Sequence, residues 1–323
     1  MPTTTQSRRS RQNLDGGAGG AERSESGTSG RMDGGTGKGY APVAGEAFPD
    51  ASSPPAPLRG DPRVEALGAA LREAIRGSVA RASEPRWTLL FSGGLDSSLV
   101  ARIGREVGEP PDLVTIGFPG SRDLERGRRS AEALGIPWRS VLLSPDAVRS
   151  ARDEILRGKG LPPPRLLSVQ VGMYLAVRAA RTQYVLCGQG ADELFLGYAH
   201  FRGLAALEIP RRAQADWRTL VAQDWPTSTR LAALLGHSLA SPFLDASVQS
   251  AALRFSWGER MGKAPLRALA RSLGLPPEVS EAPKTAMQYG TGIDRFLRRD
   301  PESSAQFRST MVPDVPSRAA PRE

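Results

Sequence analysis

Cysteine and histidine are almost missing from this chain. Cys187 is the one cysteine, and His200 and His237 are the two histidines, in 323 residues. One thiol excludes an intramolecular disulfide and a cysteine-based zinc cluster, and two histidines exclude a multi-histidine metal site. No stretch approaches the ~20 consecutive apolar residues of a membrane helix. The opening MPTTTQSRRS offers no apolar segment that could act as a signal sequence. The expected location is the cytoplasm, with no membrane partner. What the chain does have is positive charge, a formal +9. That balance suits nucleotide phosphates, acidic substrates or nucleic acid, and alone separates none of them. Many Arg-rich enzymes bind no nucleic acid, and nucleic acid is not the favoured partner here.

The ends and the middle differ in kind. Residues 1–58 are Gly-, Ser- and Arg-rich with few large apolar side chains, too few to offset the entropy of ordering them. They are expected to form a disordered arm, and 301–323 a disordered tail. Between them, Asp61-Pro62 has the form of a helix cap with a first-turn proline, and Val64, Leu67, Leu71, Ile75 and Val79 recur at helical spacing. Strands are predicted at 87–91, 113–118, 138–143 and 184–187, and helices at 98–107, 124–134, 147–157 and 168–181. From 194 to about 299 the pattern is almost wholly helical. Alternation of this type predicts an α/β fold: a parallel sheet covered on both faces, with a helical continuation packed on it. Ligands in such sheets sit outside the carboxyl ends of the strands, and both Gly-rich turns fall there.

The first turn is Ser92-Gly93-Gly94-Leu95-Asp96-Ser97-Ser98, between a strand and a helix. Glycines permit close backbone approach, successive N–H groups make an anion nest, and the helix start adds partial positive charge. Ser92, Ser97 and Ser98 add hydroxyl donors. Asp96 is a poor neighbour for a phosphate unless a cation lies between them, which implies Mg2+. The string is not a Walker A loop, because G-x-x-x-x-G-K-[ST] is absent. It resembles the SGGxDS signature of PP-loop ATP pyrophosphatases, which implies attack on the α-phosphorus of ATP with release of pyrophosphate.

The second turn is Cys187-Gly188-Gln189-Gly190-Ala191-Asp192-Glu193, continuing Leu-Phe-Leu-Gly-Tyr to Tyr198. A strand-end Asp192 opposite Asp96 would complete a site for a hard divalent cation; Glu193 reads as a helix start favourable to the dipole. This segment is similar to the G-x-G-x-DE-x-F-x-GY stretch of the asparagine synthetase synthase domain. Three further stretches are similar to the same family in the same order: 117–123 (GFPGSRD), 242–245 (PFLD), and 275–279 (LPPEV) followed by Lys284. The resemblance covers about 85–299. It implies ATP and Mg2+ as cofactors. Phe91, Ile116, Cys187 and Gly188 would hold the adenosine part. Ser92, Gly93, Gly94, Asp96, Ser97 and Ser98 would hold the pyrophosphate, and Asp96 and Asp192 the metal. Lys284 would reach the α-phosphate and the developing oxyanion. Lys263 and Arg267, four apart on an expected helix, read either as added phosphate contacts or as an ordinary exposed face. Cys187 reads as a small strand-end residue, Asp245 as fixing a turn or a helix start, Phe195 and Tyr198 as core, and the two histidines as structural.

Two departures from the family bear on the reaction. Asparagine synthetases of bacteria and eukaryotes start with a glutaminase domain whose nucleophile is an N-terminal cysteine, and the first 58 residues here cannot form one. The 59–300 synthase domain is therefore expected to use free ammonia, a separate glutaminase or another amine; a homodimer is compatible with it. Gln189 stands where asparagine synthetases have Glu and β-lactam-forming relatives have Tyr. Glutamine orients an amine but cannot take its proton. The leading reading is adenylation of the aspartate β-carboxylate and transfer to ammonia. The alternatives are another acyl-adenylating amide or lactam synthetase, a tRNA-modifying PP-loop enzyme (opposed by the single cysteine), and a non-catalytic relative (opposed by the presence of Asp96, Asp192 and Lys284).

Overall fold

The computed structural model describes residues 58–82, 85–108, 110–158, 167–282 and 287–303, all within the unit Pro42–Glu323. The arm before 58, most of the 301–323 tail and Lys284 lie outside the described residues. The elements run α1 (Pro62–Val79), β1 (Thr88–Leu90), α2 (Leu95–Val107), β2 (Asp112–Gly117), α3 (Arg122–Leu134), β3 (Trp138–Leu142), α4 (Pro145–Arg157), α5 (Leu167–Arg178), β4 (Tyr184–Leu186) and α6 (Ala191–Leu194). They continue with α7 (Ile209–Thr219), α8 (Trp225–Leu234), β5 (Ser238–Ala240), α9 (Ala246–Ala252), α10 (Trp257–Arg260), α11 (Ala264–Ser272), α12 (Pro277–Ser280), α13 (Met287–Gly290) and α14 (Ile293–Arg299). No helix among the described residues is long and apolar enough to cross a membrane.

Five parallel strands form one sheet in the order β3-β2-β1-β4-β5. The chain steps outward from β1 to β2 to β3, then crosses back to β4 on the other side of β1. With right-handed crossovers, this reversal places α2 and α3 on one face and the α4–α5 connection on the other. The first group packs with α1, whose Leu67, Leu71 and Ile75 are fully buried, as predicted from their spacing. On the other side Val148, Ala151, Ile155, Val171 and Leu175 form a core with Leu231, Ile293 and Leu297. The reversal also leaves a crevice at the carboxyl ends of β1 and β4, the switch point where ligands of such sheets lie.

The four predicted strands and four predicted helices all form, with ends displaced by a few residues. The two largest displacements are three residues each: α5 ends at Arg178 rather than 181, and α2 begins at Leu95 rather than 98 and so takes Asp96 and Ser97 into its first turn. Two expectations need correction. The 194–299 segment, expected to be almost wholly helical, also holds a strand that was not expected: β5 adds a fifth parallel strand beside β4, and its three residues, Ser-Leu-Ala, carry no β-branched or aromatic signal. In addition, Lys263 is not on a helical face. It precedes α11 in the left-handed conformation, φ 65°.

Candidate active site

The loop after β1 is fixed from behind. Thr115 Oγ1 donates to Phe91 O at 2.5 Å, Arg126 Nε to Ser92 O at 2.8 Å and Ser130 Oγ to Gly93 O at 2.8 Å. Three consecutive carbonyls are thus held by side chains of β2 and α3. Gly93 has φ 67°, and a Cβ there would lie 2.6 Å from Arg126 O, so the close approach of α3 demands glycine. Ser92 and Ser97 face each other across the turn, hydroxyl to hydroxyl at 3.3 Å.

The loop after β4 is fixed by the strand the sequence did not reveal. Cys187 N donates to Ala240 O at 3.0 Å, and Ser241 Oγ donates to Gln189 O at 2.6 Å. The next turn, Pro242–Leu244, is the PFLD segment, and Asp245 then caps α9 by accepting from Ser247 N at 2.9 Å. That capping role agrees with the sequence reading.

Between the two loops, Asp96 and Asp192 converge. Lys263 Nζ lies 2.5 Å from Asp96 Oδ2 and 2.7 Å from Asp192 Oδ1. The lysine side chain is only 6% exposed. Burial works against its charge, but the Asp96 and Asp192 carboxylates outweigh that and hold the ammonium above the ordinary lysine value. Its backbone is placed by Gly262 N donating to Leu196 O at 3.1 Å and Lys263 N to Phe195 O at 3.0 Å. Leu196 and Lys263 are the two non-glycine residues with positive φ among the described residues, 49° and 65°. Each such backbone costs on the order of 1 kcal/mol, and strain of this type collects at functional sites. Gly197 makes the passage: a Cβ there would overlap Lys263 Cε and Asp192 Oδ1.

Two cavities meet at this point, and both are bordered by Ser92 and Asp96. The smaller, about 70 Å3, is basic, with Arg126, Arg202, Lys263 and Arg267 on its walls beside Gly94. Arg267 is already engaged, donating to the carbonyls of Gly262, Ser280 and Ala282 at 2.9, 2.6 and 3.1 Å. The larger, about 300 Å3, is acidic, with Asp96, Asp192, Glu193 and Asp224 on its walls beside Cys187, Gly188 and Gln189. Here Tyr198 borders the cavity and donates its hydroxyl to Glu193 Oε1 at 2.6 Å. Burial and then the Glu193 charge push the phenol well above its ordinary value, so this proton stays on Tyr198.

Other expected site residues stand further back. Phe91 and Ile116 are buried and border neither cavity; Ile116 belongs to the core beside Leu143 and Val148. The Ser98 side chain is fully buried. Cys187 is buried, which pushes its thiol up to about 12. His200 pairs with Asp216 at 2.8 Å and His237 with the carbonyl of Thr182 at 2.9 Å, both structural. Sequence reasoning missed Arg126, Arg202, Gln170 and Asp224. Arg126 had a legible signal in its place on the first turns of the helix after GFPGSRD; the others had none.

The sequence of residues 69–235, holding both loops, matches the family described as asparagine synthase. The chain belongs to the asparagine synthase family. Its relatives include the glutamine-hydrolyzing asparagine synthetase of Mesocricetus auratus, 29% identical over 232 residues, 68% of this chain and 36% of that protein. A putative glutamine-hydrolyzing asparagine synthetase of Methanocaldococcus jannaschii is 29% identical over 253 residues, 65% of this chain and 46% of that protein. This asparagine synthase family member therefore spans less than half the length of either relative. Among solved structures it is similar to NMN synthetase from Francisella tularensis, at 12% identity and TM-score 0.41, over 76% of this chain and 92% of that one.

Proposed function

We propose that residues 59–300 form an ATP-dependent amide synthetase that adenylates a carboxylate and passes the acyl group to a nitrogen nucleophile. The observation that carries this reading is the convergence of Asp96 and Asp192 on one point between two glycine turns. Family membership supports ATP as the activating substrate. In the first half-reaction a carboxylate oxygen bonds to the α-phosphorus, the bond from that phosphorus to the bridging oxygen breaks, and pyrophosphate leaves with the electron pair. In the second, a nitrogen lone pair attacks the acyl carbon, the acyl–oxygen bond breaks, and AMP leaves while the nitrogen gives up a proton.

The basic cavity is the place for the departing phosphates, with Arg126 and Lys263 beside the Gly94 turn. Two hard carboxylates meeting there also fit Mg2+: Asp96 Oδ1 is buried without a hydrogen-bond partner, and Mg2+ commonly takes one or two carboxylates along with phosphate oxygens. When bound, the ion neutralises phosphate charge and eases pyrophosphate departure. Asp96 and Asp192 would hold it, and Lys263, freed from them, would turn its ammonium to the phosphates. Lys284 is assigned to the α-phosphate and the acyl oxyanion from the family motif alone.

The family name points to the aspartate β-carboxylate and ammonia, giving asparagine, AMP and pyrophosphate. A second acid and amine on the same scaffold is favoured by Gln189, which cannot serve as a base; the carboxylates of Glu193 and Asp224 border the same cavity. The test is pyrophosphate release by the purified chain with ATP, Mg2+, ammonium and a panel of acids. Acid-dependent release, lost about 100-fold or more in Asp96→Asn with an unchanged melting temperature, is expected. Release that ignores every acid, or an unaffected Asp96→Asn, ends the proposal.

A further inference from the structure

Among the described residues, four cations wall the small cavity beside Gly94: Arg126, Arg202, Lys263 and Arg267. Three of them are committed to protein groups. Arg126 donates to Ser92 O at 2.8 Å and to Asp123 Oδ1 at 2.7 Å. Lys263 lies between Asp96 and Asp192, and Arg267 donates to three carbonyls. Arg202 differs. Its guanidinium has no hydrogen-bond or ion-pair partner among the described residues, and the residue is exposed.

The backbone that carries this free side chain is fixed. Phe201 is buried, and its ring packs on His200 at 4.5 Å. His200 in turn stacks on Tyr198 at 5.3 Å and pairs with Asp216. Arg202 N donates to Ala199 O at 3.0 Å. One short anchored segment thus sets Tyr198 on the large cavity and Arg202 on the small one. An anion that reaches Arg202 need displace no protein acceptor from it. The guanidinium fork matches two phosphate oxygens at once, which makes its bonds to phosphate both strong and directional.

We propose that Arg202 is a phosphate-holding residue of this chain, whose guanidinium closes over the departing pyrophosphate in the small cavity. The committed cations set the field of the cavity from fixed positions. Arg202 adds donors from the solvent side, where the anion enters and leaves. The inference rests on the adenylation reading above. It goes beyond that reading by adding a binding residue that lies outside both glycine turns.

The experiment is calorimetric titration of the full chain, in MgCl2, with inorganic pyrophosphate and separately with AMP, which lacks the departing phosphates. Arg202→Gln should raise the Kd for pyrophosphate about tenfold, the scale of losing hydrogen bonds to a charged group. The Kd for AMP and the melting temperature should hold, which separates a phosphate contact from general damage. Arg299→Gln removes the same charge from a separate surface pocket and should leave the pyrophosphate Kd unmoved. The inference is overturned by an unmoved pyrophosphate Kd in Arg202→Gln, by an equal rise in Arg299→Gln, by an AMP Kd that rises in step, or by a parent chain that binds no pyrophosphate. The adenylation reading is judged apart from these, by acid-dependent pyrophosphate release from ATP in the parent chain. Release that ignores every acid, with Arg202-dependent pyrophosphate binding intact, ends that reading and leaves Arg202 a phosphate contact.

Discussion

Lys263 and Asp96 are 167 residues apart in the chain, yet their charged atoms lie 2.5 Å apart in a nearly closed site. Asp192 takes the other side of the same ammonium. The lysine thus sits at the point where two acids from different loops meet, and its ammonium offsets their buried charge.

Replacing that lysine tests its part in stability. Lys263→Met should destabilise the fold by about 3 kcal/mol, because two largely buried carboxylates lose their cation. In a chain of this size that is a fall of about 6–10 °C in melting temperature. Added Mg2+ should restore more stability to the variant than it adds to the parent chain, since only the variant lacks a cation there. Thermal melts with and without MgCl2 measure both; equal responses to the ion contradict the shared cation site.

Lys284 is proposed, from its motif, to act at the α-phosphate and the acyl oxyanion. Lys284→Met should lower kcat for pyrophosphate exchange by about 100-fold, the scale of losing one oxyanion donor. The melting temperature should not move. A normal rate removes this residue from the site.

Asp300 ties the end of α14 to α4. It accepts from Ser303 Oγ at 2.5 Å and Ser303 N at 3.0 Å, and from Arg149 Nη2 at 2.8 Å. The Ser303 hydroxyl, then Arg149, holds its carboxyl below the ordinary value, against the opposing effect of burial. A carboxyl lowered by folding stabilises the chain above its unfolded value, and the contribution is lost as pH falls through the folded value. Asp300→Asn should therefore cost about 2 kcal/mol at neutral pH. The gap between parent and variant should close only on acidification below about pH 4. Urea unfolding across that range checks the sign; a gap that widens in acid contradicts it.

Cys187 offers a simple probe of the β4 end. Its burial and raised pKa, about 12, leave almost no thiolate at neutral pH. A thiol-reactive chromogenic disulfide should give no fast signal with the folded chain. One equivalent should react after denaturation, because the sequence holds one cysteine. Rapid labelling of the native protein would mean that the strand end is open.

Local signals in the sequence determined the elements from α1 to β4 and both loops. The Ser92–Ser98 turn and the Gly188–Glu193 stretch are contiguous, and the physics that shapes them (glycine conformation, strand ends, helix starts) acts over a few residues. The same is true of the Asp61 cap and the apolar stripe of α1. Tertiary structure alone decided the rest. Strand order brought β4 beside β1, the short β5 buttressed the second loop, and Gly197 opened the passage for a lysine read from sequence as a phosphate contact or an exposed residue. The division into one acidic and one basic cavity was also invisible, because charges from α3, α6, the turn before α11 and the start of α8 acquire a sign pattern only when folding sets them around one point. Electrostatic fields sum over distance in space and ignore distance along the chain.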